Sequence, residues 1–373
     1  MSATAQLDAP MGPSWRDRLR DWREGLTASP RFRSWAASFP LTRPCARRRA
    51  RALFDLCAGV VYSQVLLASV RLRLFELLEA GPREEAALAG AMDLPPEGAL
   101  RLLRAAAALD LVARRDDGRW MLGPLGAAMI GNPGIAAMVE HHALLYADLA
   151  DPVALLRRPR GGNALSGYWA YAEAQAPGAL GRDSTQDYTA LMAASQPMVA
   201  EEVIAAYDFG AHRCLLDIGG GSGAFLAAVA AAAPDLRLML FDLPSVAEQG
   251  RERFARLRLD GRASTHGGDF TADPFPQGAD VASLVRVLHD HDDEVVMALL
   301  RRVRAALPPG GRLVVAEPMS GTAGAEPAGD AYGGFYRLAR GRGRPRTPAE
   351  LEAMLAAAGF ARSRLLPTRT PLL

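Results

Sequence analysis

Residues 215–244 read LLDIGGGSGAFLAAVAAAAPDLRLMLFDLP. An apolar run ends at Asp217-Ile218, a glycine-rich turn follows, and a helical, alanine-rich segment begins at once over 224–233. Glycine in such a turn lets the backbone approach a ligand closely, and the free N–H groups at a helix start favour polar or negative partners. The next apolar run closes on Asp242, 23 residues after Gly219, where a carboxylate can accept both hydroxyls of a ribose. Around this unit, from about residue 210, the strand-like runs RCLLDI, LRLMLFD, VASLVRVL and RLVVAE alternate with alanine-rich helices. The expectation is an α/β fold with a Rossmann-like parallel sheet.

Two ligand classes fit the turn. Gly219-x-Gly221-x-x-Ala224, with the acid at that spacing, matches the dinucleotide fingerprint of an NAD enzyme. Against it, the fingerprint usually opens a cofactor domain, and nothing later in the chain resembles a hydride-transfer site. Asp217, just before the loop, also suits a cation better than a pyrophosphate. A carboxylate there can pair with an ammonium group, as the methionine part of S-adenosylmethionine requires. A tight turn with no ligand is the plain alternative. GGDFTADPFP then supplies Asp269-Phe270 after a third strand, a placement suited to an adenine amino group and ring face.

The stretch VRVLHDHDDE at 285–294 admits three readings. His289-x-His291-x-Asp293 resembles the opening of a metallo-hydrolase motif, but Glu294 stands where a third histidine is expected and no histidine follows His291. No metal is expected. An acidic helix start explains Asp290, Asp292, Asp293 and Glu294, since acids there complement the helix dipole. It leaves His289 unexplained at the carboxyl end of a buried strand, the end that faces the ligand crevice in an open parallel sheet. A neutral imidazole in that place can accept a proton from a substrate hydroxyl, and Glu317, closing the strand RLVVAEPM, can orient it. An ordinary satisfied histidine is the alternative.

Composition narrows the rest. All 43 basic residues are arginine, which excludes a Schiff-base lysine and a P-loop lysine. A net charge of +2 gives no sign of wholesale nucleic-acid binding, and three scattered cysteines point to a reducing compartment. With no secretory signal and no uncharged apolar run of membrane length, the expected location is cytoplasmic, at most peripheral to an inner or photosynthetic membrane. Residues 14–51 hold eleven arginines against three acids, and Trp15, Leu19, Trp22 and Leu26 recur at helical spacing. Such an arm can lie on an anionic membrane or pack against its own body or a partner subunit. Residues 52–79 read as one long helix, 84–92 and 97–109 as two more, and LDLVARRDDGRWMLG as a hairpin turning at Asp117-Gly118. Three helices and a hairpin describe a winged helix. The segment in the recognition-helix position, EGALRLLRAAAAL, carries only Arg101 and Arg104, so a subunit-facing surface is expected, with a ligand-responsive DNA-binding regulator as the rival from another class. Tyr168, Trp169 and Tyr171 form an aromatic cluster in the helical stretch 131–200.

Taken together, LLDIGGGSGAF, MLFDLP, GDF, VRVLHDHDDE, VVAEPM and RTPAELEAMLAAAGF resemble the class I S-adenosylmethionine-dependent small-molecule O-methyltransferases of the caffeate and acetylserotonin type. The resemblance covers about residues 50–370. After the basic amphipathic arm (1–50) read from its own residues, it implies a winged-helix dimerisation domain (51–130), a helical linker and substrate-pocket region (131–205) and a catalytic domain (206–373), in a homodimer. By resemblance Asp217, Gly219 and Gly221 hold the methionine end of S-adenosylmethionine, Asp242 and Leu243 the ribose, and Asp269 with Phe270 the adenine, and Arg286 joins the cofactor set. His289 is then the base, flanked by Asp290 and Glu317. Two positions depart from plant members, which carry tryptophan at His291 and a second glutamate beside the base, where GRPRT has Pro345. ASPRFRSWAASFPLTRP and ARALFDLCAGVVYSQVLL add a narrower likeness, to hydroxyneurosporene (demethylspheroidene) O-methyltransferases. That implies the tertiary 1-hydroxyl of an acyclic carotenoid as acceptor, with a phenol or other small hydroxyl substrate as the alternative.

Overall fold

The computed structural model describes residues 14–157, 162–168, 181–371 and 373. Trp169 and Tyr171 of the expected aromatic cluster lie outside them.

The arm folds into helices α1 (Trp15–Ala28) and α2 (Pro30–Ser38) and leads into the long α3 (Arg43–Arg71). Ser14 starts α1 with a capping box: its hydroxyl accepts the Asp17 amide at 3.2 Å, and the Asp17 carboxylate accepts the Ser14 amide at 3.1 Å. No α1 residue is buried, and Trp15 and Trp22 are 70% and 62% exposed, so the tryptophan stripe does not pack on its own body. By length and composition α3 is apolar enough to cross a membrane, and only 11% of its most apolar window is buried in this chain. Leu53, Phe54, Leu56, Val60 and Val61 stand exposed along it.

The single helix expected over 52–79 is broken. α3 stops at Arg71, Arg73 takes a left-handed φ of 54°, and a second helix runs Leu74–Glu79. The bend is what turns Leu74, Phe75 and Leu78 inward onto Leu88, Leu103 and Trp120. Helices Glu85–Ala91 and Pro96–Ala108 complete that core together with a hairpin of β1 (Val112–Arg114) and β2 (Trp120–Leu122), which pairs Arg114 with Trp120 across Gly118 at φ 84°. Helix Pro133–Asp148 then packs along helix Arg182–Ala206, bridging to the second half of the chain.

There, β3 (Cys214–Ile218), β4 (Arg237–Asp242), β5 (Ala263–Gly267), β6 (Val281–Val285) and β7 (Arg312–Ala316) form a parallel sheet in the order β5-β4-β3-β6-β7. Every residue of β3 and β6 is buried, as expected for strands covered on both faces. Successive side chains point to opposite faces. Leu215 packs with Phe225 and Leu226 on one side, while Leu216 and Ile218 pack with Leu299 and Val303 on the other. The chain builds outward from β3 through β4 to β5, then returns to lay β6 and β7 on the other side. The order reverses between β3 and β6, and a crevice opens outside their carboxyl ends.

Candidate active site

A cavity of about 360 Å³ occupies that crevice, within the usual range of about 300–1,000 Å³ for small-molecule sites. Its wall includes Asp217, Gly219, Gly221, Asp242, Leu243, Asp269, Phe270 and Arg286, together with Asp290 and His291. Residues from four strand ends thus meet in one place.

The glycine turn is built for close approach. Gly219 has φ 68°, and a Cβ on it would sit 2.9 Å from Val287 Cγ2. Its neighbour Gly220 lies so close to Asp217 that a Cβ there would fall 2.3 Å from Oδ2. Arg253 anchors the turn from behind, its Nε donating to the Ser222 carbonyl at 2.9 Å and its Nη2 to the Ser222 hydroxyl at 3.1 Å.

Asp217 is fully buried. Ser283, its register partner on β6, donates a 2.6 Å hydrogen bond to Oδ1, while Oδ2 has no partner. Burial drives this carboxyl up to about 7, against the pull of the Ser283 hydroxyl, and the nearby Asp242 carboxylate adds to the rise. A buried carboxylate oxygen without a partner, in a residue that lines a cavity, calls for a donor. Asp242 accepts the amides of Gly221 and Leu243, both at 2.7 Å, yet burial still raises it to about 6. Asp269 closes its own turn by accepting the Thr271 amide at 2.8 Å, and the ring of Phe270 meets His291 edge-on at 5.1 Å. Burial lowers His291 to about 4, so its ring is neutral near pH 7. Arg286, in a left-handed conformation at φ 61°, reaches Ser195 Oγ at 2.9 Å and ties helix Arg182–Ala206 to the sheet. Among the described residues the set fits S-adenosylmethionine: an unpaired carboxylate for its ammonium, an acid for the ribose and an aromatic face beside an acid for adenine.

The expected triad is differently disposed. His289 and Glu317 are buried and do not line the cavity; Asp290 does. The expectation that the imidazole itself faces the crevice is therefore corrected: its Nε2 faces Oδ1 of Asp290 at 3.0 Å. The physical reason is the turn after β6. Glu317 accepts the amides of Val287 and Leu288 at 2.8 and 2.6 Å and bonds the ring at Nδ1, which draws the imidazole back toward β7. Asp290 is held in turn by Arg337 and Arg340. Burial works to raise its carboxyl, but Arg340, His289 and Arg337 hold it far below the usual carboxylate range. Asp290 is thus a second carboxylate beside the ring, while Pro345 rests near Gly333. On the other flank Gly343, at φ 77°, packs so tightly that a Cβ would lie 2.3 Å from the His289 carbonyl oxygen.

Sequence reasoning missed Ser283, Arg337, Arg340 and Arg346. Arg346 is buried and donates to the Leu288 and His291 carbonyls, both at 2.7 Å. Only a charge inside an otherwise apolar helix face, as in YRLAR with Tyr336, Ala339 and Arg340 buried, hinted at them.

Comparison with known proteins decides the class. Residues 54–132 match the O-methyltransferase dimerisation domain, and residues 146–361 match the O-methyltransferase domain. The chain is 47% identical to the demethylspheroidene O-methyltransferase of Cereibacter sphaeroides, over 93% of this chain and 91% of that protein. It is 44% identical to the enzyme of the same name from Rhodobacter capsulatus, over 90% of this chain and 83% of that one. Human N-acetylserotonin methyltransferase, solved in complex with S-adenosylmethionine, superposes with a TM-score of 0.70 at 25% identity, over 83% of this chain and 92% of that chain. Of the readings the glycine turn left open, methyl transfer is the one that stands. The chain belongs to the O-methyltransferase family.

Proposed function

We propose that this chain methylates the tertiary 1-hydroxyl of an acyclic carotenoid, with S-adenosylmethionine as donor, as a homodimer joined through the region of residues 54–132. The donor site is carried by one observation: Asp217 lines the cavity and its buried Oδ2 has no hydrogen-bond partner. The acceptor is supported by 47% and 44% identity to two demethylspheroidene O-methyltransferases along nearly the whole chain.

In this reading Asp217 takes the ammonium, Asp242 with Leu243 the ribose, and Asp269 with Phe270 the adenine, while Gly219, Gly221 and Arg286 shape the wall. When bound, S-adenosylmethionine supplies a methyl group on a positively charged sulfur, already reactive toward an oxygen held in line with it. A tertiary alcohol is too weak an acid for imidazole to ionise beforehand, so His289, once Asp290 has turned from Nε2, removes its proton as the new carbon–oxygen bond forms. Glu317 fixes the ring through Nδ1 and balances the charge that the imidazole gains. General-base assistance of this kind is typically worth about 10²–10⁴-fold. Placement of the oxygen supplies the remainder.

The test is incubation of the purified protein with methyl-labelled S-adenosylmethionine and demethylspheroidene, beside a panel of phenols. Label in a methoxycarotenoid is expected; label in phenols alone would discard the carotenoid acceptor. The exposed tryptophan stripe and the arginines of α1 support contact of the arm with an anionic lipid surface. Co-sedimentation with phosphatidylglycerol vesicles, lost at high salt and in a Trp15→Ala/Trp22→Ala variant, is the expected result.

A further inference from the structure

Glu317 bonds Nδ1 of the His289 ring, and Oδ1 of Asp290, which has no hydrogen-bond partner, stands 3.0 Å from Nε2 and blocks it. A carboxylate oxygen can only accept, so Nδ1, bonded to Glu317, carries hydrogen; Asp290 can bond Nε2 only when that nitrogen carries hydrogen as well, and a ring in that state cannot take another proton. Before a substrate hydroxyl can use Nε2, the proton that Asp290 holds there has to pass to solvent and Asp290 has to turn away. The same oxygen, Oδ1, also contacts Nη1 of Arg340 and lies 3.3 Å from Nε of Arg337. Two guanidinium groups and the ring nitrogen thus converge on one oxygen. Arg340 is fully buried, and a guanidinium keeps its charge at any working pH, so Asp290 always has another partner to turn to. Asp290 and Arg340 both line the cavity, whereas His289 does not.

We infer that Arg340 is a positioning residue: by competing with His289 for Oδ1 of Asp290, it lets that carboxylate leave Nε2 and frees the nitrogen for a hydroxyl in the cavity. This role rests on His289 being the base, and it adds to that role the means by which the base is released. The charged and titratable groups around the ring are Glu317 from the end of β7, Asp290 and His291 from its own turn, and Tyr336, Arg337 and Arg340 from helix Gly333–Arg340. Beyond them Arg346 is paired with Asp293 at 2.7 Å. Of these, Arg340 and Arg337 are the cations that contact Oδ1.

The chain has six histidines, few enough to follow ring by ring in a nuclear magnetic resonance titration, with His289→Ala assigning the relevant signal. Without Arg340, Asp290 has a weaker pull away from the ring and one nearby positive charge is gone, so both effects favour the protonated imidazole. Arg340→Met is therefore expected to move the His289 midpoint alkaline by about one pH unit or more, and the acid limb of the turnover profile with it. Arg340→Lys should stay close to the wild type, because the contact to Oδ1 runs through a single nitrogen. Asp290→Asn should move the midpoint the other way, and in that background Arg340→Met should shift it much less, as expected of residues that act through one another. A midpoint unmoved in Arg340→Met overturns the inference; should that variant not fold, an unmoved midpoint in Asp290→Asn does so. If His289→Ala keeps the acid limb, the base assignment itself falls while the coupling seen in the titration stands. If that limb is lost but Arg340→Met leaves the midpoint in place, only the role of Arg340 falls.

Discussion

Two histidines clasp the sheet at opposite ends, in nearly the same company. At the amino end His212, just before β3, bonds Oδ2 of Asp280 through Nδ1 at 3.1 Å and Tyr207 Oη through Nε2 at 2.7 Å. Asp280, just before β6, also accepts the amides of Arg213 and Cys214 at 3.0 and 2.7 Å. At the carboxyl end His289 bonds Glu317, which likewise accepts backbone amides, and faces Asp290. Each imidazole splices β3 or β6 to the strand beside it through a carboxylate. What separates them is strand polarity. The carboxyl ends of β3 and β6 open onto the cavity, whereas His212 and Asp280 do not line it, so the lower clasp holds the sheet together and, in the proposed reading, the upper one also moves a proton. A histidine–carboxylate pair is thus not a functional signature until its end of the sheet is known.

The largest test of that contrast is His289→Ala, expected to lower turnover by about 10²–10⁴-fold while donor binding stays nearly intact. Turnover left unchanged would remove His289 from the chemistry. Next, Asp217→Asn should weaken binding of S-adenosylmethionine by about 10- to 150-fold, the weight of a charged hydrogen bond, as read by calorimetry.

The same carboxyl sets a pH dependence. In the free protein Asp217 is raised to about 7, so below that pH it is neutral and must lose a proton before it can pair with an ammonium. Donor affinity should therefore fall as pH drops, by up to about tenfold per unit between roughly pH 7 and pH 5. The sign for stability follows. Between its ordinary value near 3.8 and about 7 the folded chain holds a proton that the unfolded chain has released, so this group lowers the free protein's stability as pH rises through that window. The thermal shift produced by the donor should accordingly be larger at about pH 8 than at about pH 6. His212→Ala belongs to the other end of the scale. Turnover should hold within about twofold, while thermal unfolding reports a loss of about 1–2 kcal/mol from the broken clasp. A large fall in turnover there would erase the distinction between the two ends.

Much of the carboxyl-end architecture can be read along the chain because its pieces are local. Asp217 and the glycines are consecutive, Asp242 ends the next strand, and a strand, a tight turn and a helix start each leave a mark in composition. Ser283 cannot be found that way, since it meets Asp217 only through the register of β3 on β6, 66 residues away in sequence. Arg337 and Arg340 reach Asp290 from a helix that follows every sheet strand, and nothing near VRVLHDHDDE announces them. Nor does the pattern of 52–79 reveal the left-handed Arg73: the apolar period continues through the break because residues on both sides still need burial or a partner. The exposed face of α3 is the complementary case, plain in sequence as apolar and uncovered in a single chain, with the dimerisation-domain match indicating the kind of surface that covers it.

Gly343 lies far along the chain from His289 and does not line the cavity, yet its backbone presses against the peptide joining His289 to Asp290. One added methyl there would act as a wedge under the whole turn, tilting the imidazole and its neighbouring acid together. A Gly343→Ala protein should keep its sheet and its donor site and still turn over slowly, so the tolerance of the reaction is fixed partly by an atom that is not there.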